Sequence, residues 1–368
     1  MRAKILLIGA ALLALASCKH ETETIDPTDP EGPVVPPTPY VLNIPSNFPP
    51  PRSMPVTNPL TVEGVALGRH LFYEKALSVT NTVACASCHR QELAFTDGLA
   101  RAQGVNGSLG TRSAMSLANM AWEFSLNWDG AAASLEEQAR IPIENPVEMH
   151  QTLQVGTARL QSIGKYPPMF RAAFGSSTIT EDNVLKALAQ FERTLISGNS
   201  RFDQFRRGNR TILTSYEQQG LQLFVTHPDG TPTGRGGNCN DCHSGDLQTN
   251  HRFSNNGLDP TFSDLGLGLQ TGQASDNGKF LIPSLRNIAL TAPYMHDGRF
   301  TTLAQVLDHY SDHVSLNSPN IDPLILNGVN VAGHPRLELT AVEKDQIVAF
   351  LRTLTDTTFI HDPRYSKP

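Results

Sequence analysis

Two short motifs of the form Cys-x-x-Cys-His constrain this chain more than any other feature. They occupy residues 85–89 (CASCH) and 239–243 (CNDCH) and begin 154 positions apart. Two residues between the cysteines let both thiols reach the two vinyl groups of one porphyrin, and the adjacent histidine then lies under the ring, where its imidazole can bind iron. A zinc half-site or a thioredoxin-like dithiol would explain the cysteines, but not a histidine in both copies. The sequence therefore predicts two c-type haems.

The haem prediction assigns a role to six residues. Covalent attachment is expected at Cys85, Cys88, Cys239 and Cys242, and axial iron ligation at His89 and His243. The motifs use four of the five cysteines, so no pair remains for a disulfide.

The fifth cysteine, Cys18, ends a pattern typical of an exported lipoprotein. A basic start, an apolar run over residues 5–15 and a Leu-Ala-Ser tripeptide precede it. The alternative is an ordinary signal peptide with an incidental cysteine, and the run is too short for a stable membrane span. We expect a lipoprotein signal over residues 1–18, with Cys18 lipidated in the mature chain. The lipid would hold the protein at a membrane, in the periplasm or at the outer membrane. Haem c is normally attached outside the cytoplasm, so the export signal and the haem motifs support each other.

Composition restricts the possible binding partners and indicates how the chain divides into domains. A formal net charge of −6 argues against nucleic acid as a partner. Twelve prolines between residues 19 and 59 favour extended backbone and predict a tether. The rest of the chain has room for two domains, which we place at residues 60–200 and 201–368.

The two domains are expected to be related by internal duplication. Each half contains, in order, a Gly-x-x-Leu-Phe segment, a haem motif, an x-Asp-Gly turn and a leucine five residues later. The matching segments are 68–72 with 220–224, 85–89 with 239–243, 128–130 with 296–298, and Leu135 with Leu303. Two copies of one unit predict two similar haem domains.

Local patterns favour helices in both halves. Capping-box sequences begin at Ser134, Thr214 and Thr340. Apolar residues recur at helical spacing in two stripes, Val184, Leu188, Phe191, Leu195 and Ile347, Phe350, Leu351, Leu354. The stretches 226–238 and 254–278 lack periodicity and predict loops. The fold class is therefore mainly α, with two cytochrome-c-like haem domains and long loops.

Three further segments carry a family resemblance. They are 128–130 (WDG), 142–150 (PIENPVEMH) and 285–298 (LRNIALTAPYMHDG). With the two haem motifs they make the chain resemble, from about residue 60 to its end, the bacterial di-haem cytochrome c peroxidases and their relative MauG. In that family the N-terminal haem reacts with peroxide and the C-terminal haem supplies electrons.

The resemblance implies an open coordination position at the first haem. Many family peroxidases cap this iron at rest with a histidine from the loop after the first motif. Residues 90–149 contain no histidine, and the loop over residues 102–108 reads AQGVNGS. Met115, Met120 and Met149 are rival ligands that we interpret as core residues. A high-spin ferric haem in the oxidised protein is the expected result.

The resemblance also implies three catalytic side chains. Glu148 matches the family's distal glutamate, which moves a proton between the peroxide oxygens, whereas Glu144 fits a solvated structural role. Gln138 matches a distal-pocket glutamine. Trp128 matches the tryptophan between the haems, where an indole shortens the electron-transfer path; core packing is its alternative role.

At the second haem the chain departs from the common peroxidase pattern. Where many relatives place a methionine ligand, it carries Tyr310, as MauG-like members do. Leu303, Val306, Leu307 and Tyr310 follow helical spacing, so the tyrosine is expected to face inward. His313, one turn further on, is the chief rival ligand, whereas His309 points elsewhere and Met295 lies in the turn itself. A buried tyrosine without iron is the remaining alternative.

A calcium site between the domains is left open by the sequence. The family uses an asparagine side chain after an arginine, together with threonine and proline carbonyls. Thr291 and Pro293 match, but Ser113 replaces the asparagine after Arg112. A serine is a poorer calcium ligand than an amide carbonyl.

The resulting functional prediction is a di-haem peroxidase that reduces hydrogen peroxide to water. Electrons would come from a small cytochrome c or cupredoxin, and a homodimer is compatible with the resemblance. One alternative is a MauG-like oxidase that acts on a protein substrate, favoured by Tyr310 and the missing histidine. The other is a non-catalytic di-haem electron carrier.

Overall fold

Short helices joined by irregular segments build most of the protein. The computed structural model describes residues 34–231, 234–334 and 336–368. The predicted signal and Cys18 lie outside the described residues. Within those residues, no helix combines the length and the apolar character needed to cross a bilayer. Residues 36–368 form one compact unit, and its mainly helical character agrees with the sequence prediction.

The N-terminal half contains the longest run of helices. They are α1 (Val62–Phe72), α2 (Cys85–Cys88), α3 (Leu135–Glu144), α4 (Leu153–Ser162), α5 (Tyr166–Phe174) and α6 (Glu181–Arg193). One core cluster of this half includes Phe72, Phe95, Phe170 and Phe191, all at most 1% exposed. The first haem motif therefore starts on a short helix beside a dense aromatic core.

The C-terminal half has shorter elements. They are α7 (Arg201–Arg206), α8 (Ser215–Val225), α9 (Gly268–Thr271), α10 (Leu303–Asp308), α11 (Pro323–Asn327), α12 (Ala341–Arg352) and α13 (Thr357–Ile360). A π-helical turn, His309–His313, follows α10 directly. Strands β1 (Phe253–Ser254) and β2 (Phe280–Leu281) pair antiparallel, with Phe253 opposite Leu281. The stretch 254–278, for which the sequence predicts a loop, contains the end of β1 and all of α9.

The glycine of each Gly-x-x-Leu-Phe segment allows two helices to approach closely. A Cβ atom on Gly68 of α1 would lie 1.9 Å from the Ala187 carbonyl oxygen of α6. A Cβ atom on Gly220 of α8 would lie 1.9 Å from the Gln346 carbonyl oxygen of α12. Only glycine fits such a contact, so the same sequence feature supports the same kind of helix pair in each half.

The predicted helix signals are confirmed, with one difference in detail. The two apolar stripes on α6 and α12, each extending just past its helix, are buried throughout. Thr214 and Thr340 form reciprocal capping boxes with Glu217 and Glu343. Ser134 caps the amide of Glu137, but the Glu137 carboxylate accepts from the Ala133 amide instead of closing the box.

The proline-rich segment differs from the free tether predicted over residues 19–59. Its described part from Pro36 onward belongs to the compact unit. Phe48 is buried against Trp122, with ring centroids 5.3 Å apart, and Arg286 lies over its other side at 4.4 Å. Trp122 Nε1 donates to the Pro49 carbonyl at 2.7 Å. One aromatic anchor therefore fixes a segment whose composition alone suggested an unpacked chain.

The C-terminal end crosses back onto the N-terminal core. Phe359 of α13 packs against Phe95 with ring centroids 5.4 Å apart. Tyr365 is buried and its hydroxyl donates to the Thr194 carbonyl at 2.8 Å. The two halves therefore do not separate cleanly at a single position in the sequence.

Candidate haem sites

Both haem motifs open onto one continuous cavity of about 740 Å³. Its walls include Cys88 and His89 from the first motif and Cys239, Cys242 and His243 from the second. Other walls come from α3, α10, α12 and the loops between them. One space shared by two such motifs suits two neighbouring porphyrins.

The chemical state of the motif side chains also fits haem attachment. Burial raises the pKa of Cys239 to about 12 and that of Cys88 to about 11. A redox-active dithiol has a lowered thiol pKa, so the thioredoxin-like alternative loses support. In the described chain, no cluster of three or more His, Cys, Asp or Glu side chains could hold a metal ion by itself. Haem attachment is the chemistry that these residues fit.

The two motif histidines are neutral and available as ligands. Burial lowers the pKa of His89, and it lowers that of His243 to about 4. His89 Nδ1 lies 2.8 Å from the Phe95 carbonyl oxygen, so Nδ1–H donates and the Nε2 lone pair is left for iron. His243 Nδ1 is buried without a hydrogen bond of normal geometry, although the backbone of Gln248 and Pro283 lies beside its ring.

The predicted distal side chains line the cavity onto which both motifs open. Glu148, Gln138 and Trp128 all line the cavity together with Cys88 and His89. Gln138 projects from α3 and its amide nitrogen lies 3.4 Å from Asn127 Oδ1. The structure thus brings together the three residues that were assigned to this site from the sequence.

Glu148 is held by its backbone and by one side chain. The chain turns after α3, and the Asn145 amide donates to Glu148 Oε1 at 2.7 Å. Burial raises the pKa of Glu148, while the hydrogen bond from Asn145 partly offsets that effect. A buried carboxyl with one anchored oxygen can keep the other oxygen free for proton transfer.

The loop over residues 102–108 packs directly on Glu148. The Val105 amide donates to the Glu148 carbonyl at 2.7 Å. A Cβ atom on Gly104 would lie 2.2 Å from the Val147 carbonyl oxygen, and Gln103 contributes its carbonyl 3.7 Å from Cys88 Sγ. The segment without a histidine therefore lies beside both the first motif and the backbone of Glu148.

Trp128 lies where the two halves meet. Its Nε1–H donates to the Ser113 carbonyl at 3.0 Å, and its own carbonyl accepts from the Leu281 amide at 2.8 Å. The next residue, Asp129, pairs with Arg112 at 2.7 Å, and Arg112 also pairs with Asp264 at 2.7 Å. The tryptophan is thus fixed by partners from both halves of the chain.

The rival ligands at the first motif divide into two groups. Met149 is 3% exposed and belongs to the core, as expected. Met120 packs against the core and also lines the cavity, and Met115 lines the cavity. So does His296, whose ring stacks on Phe280 with centroids 3.8 Å apart. This stacked histidine is a wall residue to which the sequence assigned no role.

Tyr310 reaches the cavity from the π-helical turn. Burial raises its pKa to about 12, and a hydrogen bond from Asn256 to its hydroxyl opposes that effect. Single π-helical turns often mark functional sites. The prediction that His313 faces inward as the chief rival ligand to Tyr310 is wrong. His313 is exposed and its Nδ1 lies 2.9 Å from the Asp308 carbonyl oxygen, because the wider π turn rotates it off the face that a regular α-helix would present.

The residues considered for calcium meet in the same region. Ser113, Thr291 and Pro293 all line the cavity. Ser113 Oγ donates to the Met295 carbonyl at 3.0 Å, so this hydroxyl joins the two halves directly. Calcium binding remains a prediction.

No pattern in the sequence indicates the contacts made by two residues, Asn256 and Glu192. Asn256 lies in the aperiodic stretch 254–278, and only its contact with Tyr310 reveals its place at the site. Glu192 is 4% exposed on α6, and its Oε2 has no hydrogen-bond partner. Helical spacing marks the apolar face of α6 but does not indicate that a carboxyl is buried there.

Comparison with known proteins shows which family this chain resembles. The sequence profile of the family described as di-haem cytochrome c peroxidase matches residues 62–211. The methylamine utilization protein MauG of Methylorubrum extorquens is 39% identical over 269 residues, covering 70% of each chain. The cytochrome c551 peroxidase of Nitrosomonas europaea is 31% identical over 301 residues, covering 81% of each chain.

A solved structure extends the similarity to the fold. The crystal structure of a MauG-like protein associated with microbial copper homeostasis superimposes with a TM-score of 0.80 at 35% identity. The match covers 89% of this chain and 99% of that protein. Similar proteins therefore include both a peroxidase and MauG.

Proposed function

The chain belongs to the di-haem cytochrome c peroxidase and MauG family of oxidoreductases, and we propose that it reduces hydrogen peroxide to water at the haem held by His89. The family implies two c-type haems, which Cys85 with Cys88 and Cys239 with Cys242 would attach. When bound, the haems supply the one-electron redox chemistry of iron. The observation that carries the proposal is a partly buried Glu148 that lines the same cavity as His89 and whose pKa is raised by desolvation.

The protein residues would supply the proton transfer. Each turnover breaks one O–O bond, takes up two electrons from the donor and two protons from solvent, and releases two water molecules. Because burial raises the pKa of Glu148, its carboxyl holds a proton closer to neutral pH. Asn145 fixes Oε1, which leaves Oε2 to pass that proton between the peroxide oxygens. Gln138, which lines the same cavity as Glu148, would orient the peroxide.

The electron route would run from the second motif to the first. His243 and Tyr310 would hold the second haem iron, which accepts electrons from a small cytochrome c or cupredoxin. Trp128 supports this route because both halves of the chain fix it by backbone hydrogen bonds. An aromatic ring at that point shortens the gap that an electron must cross.

Two broader features belong to the same proposal. The matching close contacts at Gly68 and Gly220 support an origin of the two halves by internal duplication. The pattern before Cys18 supports export and a lipid anchor in the periplasm or at the outer membrane.

A steady-state assay tests the proposed role of Glu148. The assay follows peroxide-dependent oxidation of a reduced small cytochrome c by the holoprotein. Loss of a general acid–base group costs roughly 10²- to 10⁴-fold in rate, so Glu148→Gln should lower turnover by about that factor with both haems retained. Glu144→Gln is the matched control, because Glu144 is exposed and pairs only with Arg140. Equal turnover of both variants would reject the role of Glu148.

A second candidate function is oxidation of a protein side chain, as in MauG. It is favoured by Tyr310 in the second site and by the absence of histidine from residues 90–149. Mixing the ferric holoprotein with peroxide separates the candidates. Rapid turnover of reduced cytochrome supports the peroxidase, whereas a long-lived oxidised state without cytochrome turnover supports the MauG-like function. A protein that does not react with peroxide would be an electron carrier only.

A further inference from the structure

One amide side chain contacts both a phenol and a thioether on the wall of the cavity. Asn256 Nδ2 lies 3.2 Å from Tyr310 Oη and 3.5 Å from Met295 Sδ. All three residues line the cavity next to the second motif. A phenol oxygen and a thioether sulfur therefore share one hydrogen-bond donor at the place where a sixth iron ligand is needed.

The position of Asn256 is fixed by its neighbours. Asn255 is 2% exposed, donates to Ser318 Oγ at 2.9 Å, and accepts from the Gly257 amide at 2.9 Å. His309 Nε2 lies 3.2 Å from the Asn256 carbonyl oxygen. Since His309 precedes Tyr310 in the π-helical turn, the segment that carries the amide and the segment that carries the phenol are joined directly.

Met295 is also held in place near this amide. Its φ of +72° lies in the left-handed region, which a residue of this size rarely adopts. Such conformations persist where the surrounding structure determines them, and they cluster at functional sites. The methionine is thus held on the cavity wall, with its sulfur 3.5 Å from the Asn256 amide nitrogen.

The amide favours one competitor over the other by its chemistry. An N–H group donates strongly to a phenolate oxygen, because the acceptor is charged. A thioether sulfur is only a weak acceptor. We infer that Asn256 is the positioning residue that makes Tyr310, and not Met295, the sixth ligand of the second haem. This inference rests on the proposed ligation by Tyr310.

The consequences can be read from the haem itself. A phenolate ligand stabilises ferric iron and lowers its reduction potential, whereas a methionine ligand raises it. Loss of the amide donor should therefore shift the oxidised holoprotein from tyrosine towards methionine ligation. A hydrogen bond to a charged group corresponds to a roughly 10- to 100-fold change in that ratio.

The test uses two variants of similar side-chain size, in the holoprotein with its haem content checked. Asn256→Leu removes the polar group, and Asn256→Asp replaces the donor with an acceptor. Both should weaken the phenolate-to-iron signature in resonance Raman spectra, increase the methionine-to-iron charge-transfer band, and raise the potential of the second haem in a spectroelectrochemical titration. The double variant Asn256→Leu/Met295→Leu should lose the methionine band.

Tyr310→Phe separates failure of the inference from failure of the proposed ligation. If Tyr310→Phe leaves the ferric spectrum unchanged, Tyr310 is not a ligand and both proposals fall. If Tyr310→Phe removes the phenolate signature while Asn256→Leu and Asn256→Asp keep the wild-type spectrum and potential, Tyr310 is a ligand and the role of Asn256 is overturned.

Discussion

Replacing the buried Glu192 should change how stability depends on pH. Glu192 is 4% exposed, its Oε2 has no hydrogen-bond partner, and burial raises its pKa to about 8 from the usual 4.5. The charged neighbours act in opposite directions: Arg193 favours the carboxylate and Glu136 disfavours it. The buried carboxyl is therefore kept neutral over most of the physiological range.

The sign and size follow from proton linkage. Below pH 4.5 the folded and unfolded states both carry a proton on Glu192, so its ionisation does not change the free energy of unfolding there. Between pH 4.5 and 8 only the unfolded state ionises, so stability falls as pH rises. The gap between 4.5 and about 8 corresponds to a total loss of ~5 kcal/mol. The loss is complete above pH 8.

The assay is urea unfolding of the holoprotein at pH 5, 7 and 9. Glu192→Gln cannot ionise, so its stability relative to wild type should increase from pH 5 to 9 by several kcal/mol. Glu181→Gln is the control, because this carboxylate at the start of the same helix is only partly buried and pairs with Arg140. A difference between Glu192→Gln and wild type that stays constant from pH 5 to 9 would refute the linkage argument.

Three other changes test the packing and the electron route. Gly220→Ala should destabilise the protein by about 1–3 kcal/mol in thermal unfolding, because its Cβ would lie 1.9 Å from a carbonyl oxygen. Gly164→Ala is the control and should not destabilise it, because Gly164 has open space around it. Equal effects of the two variants would contradict the close-contact argument. Phe48→Ala should lower the free energy of unfolding by roughly 3–5 kcal/mol and make the segment before α1 sensitive to protease. If the segment stays protected from protease, the Phe48 ring does not anchor it. Trp128→Phe loses the hydrogen bond to Ser113 and should slow electron transfer between the haems in a rapid-mixing experiment; an unchanged rate would exclude the indole from the route.

Local sequence patterns predicted the parts of the structure that depend on local chemistry. The haem motifs, the capping residues Thr214 and Thr340, and the buried stripe on α6 all follow from residue types at fixed spacing. Family resemblance, and not periodicity, predicted Glu148, Gln138 and Trp128, since no local pattern marks a single glutamate.

The remaining features depend on tertiary placement. Proline content suggested a free tether, but Phe48 finds a partner 74 residues away in Trp122. Regular helical spacing placed His313 at the second haem, and the π turn moves it to the surface. Asn256 lies in a stretch without periodicity, so its contact with Tyr310 could not be derived from sequence.

The electron paramagnetic resonance spectrum of the oxidised holoprotein, before and after one equivalent of peroxide, tests the central claim most directly. The account predicts one high-spin ferric signal from the His89 haem, which has no capping histidine in residues 90–149, and one low-spin signal from the His243 haem. Peroxide should first remove the high-spin signal. Two low-spin signals that peroxide leaves unchanged would contradict an open, peroxide-reactive first haem.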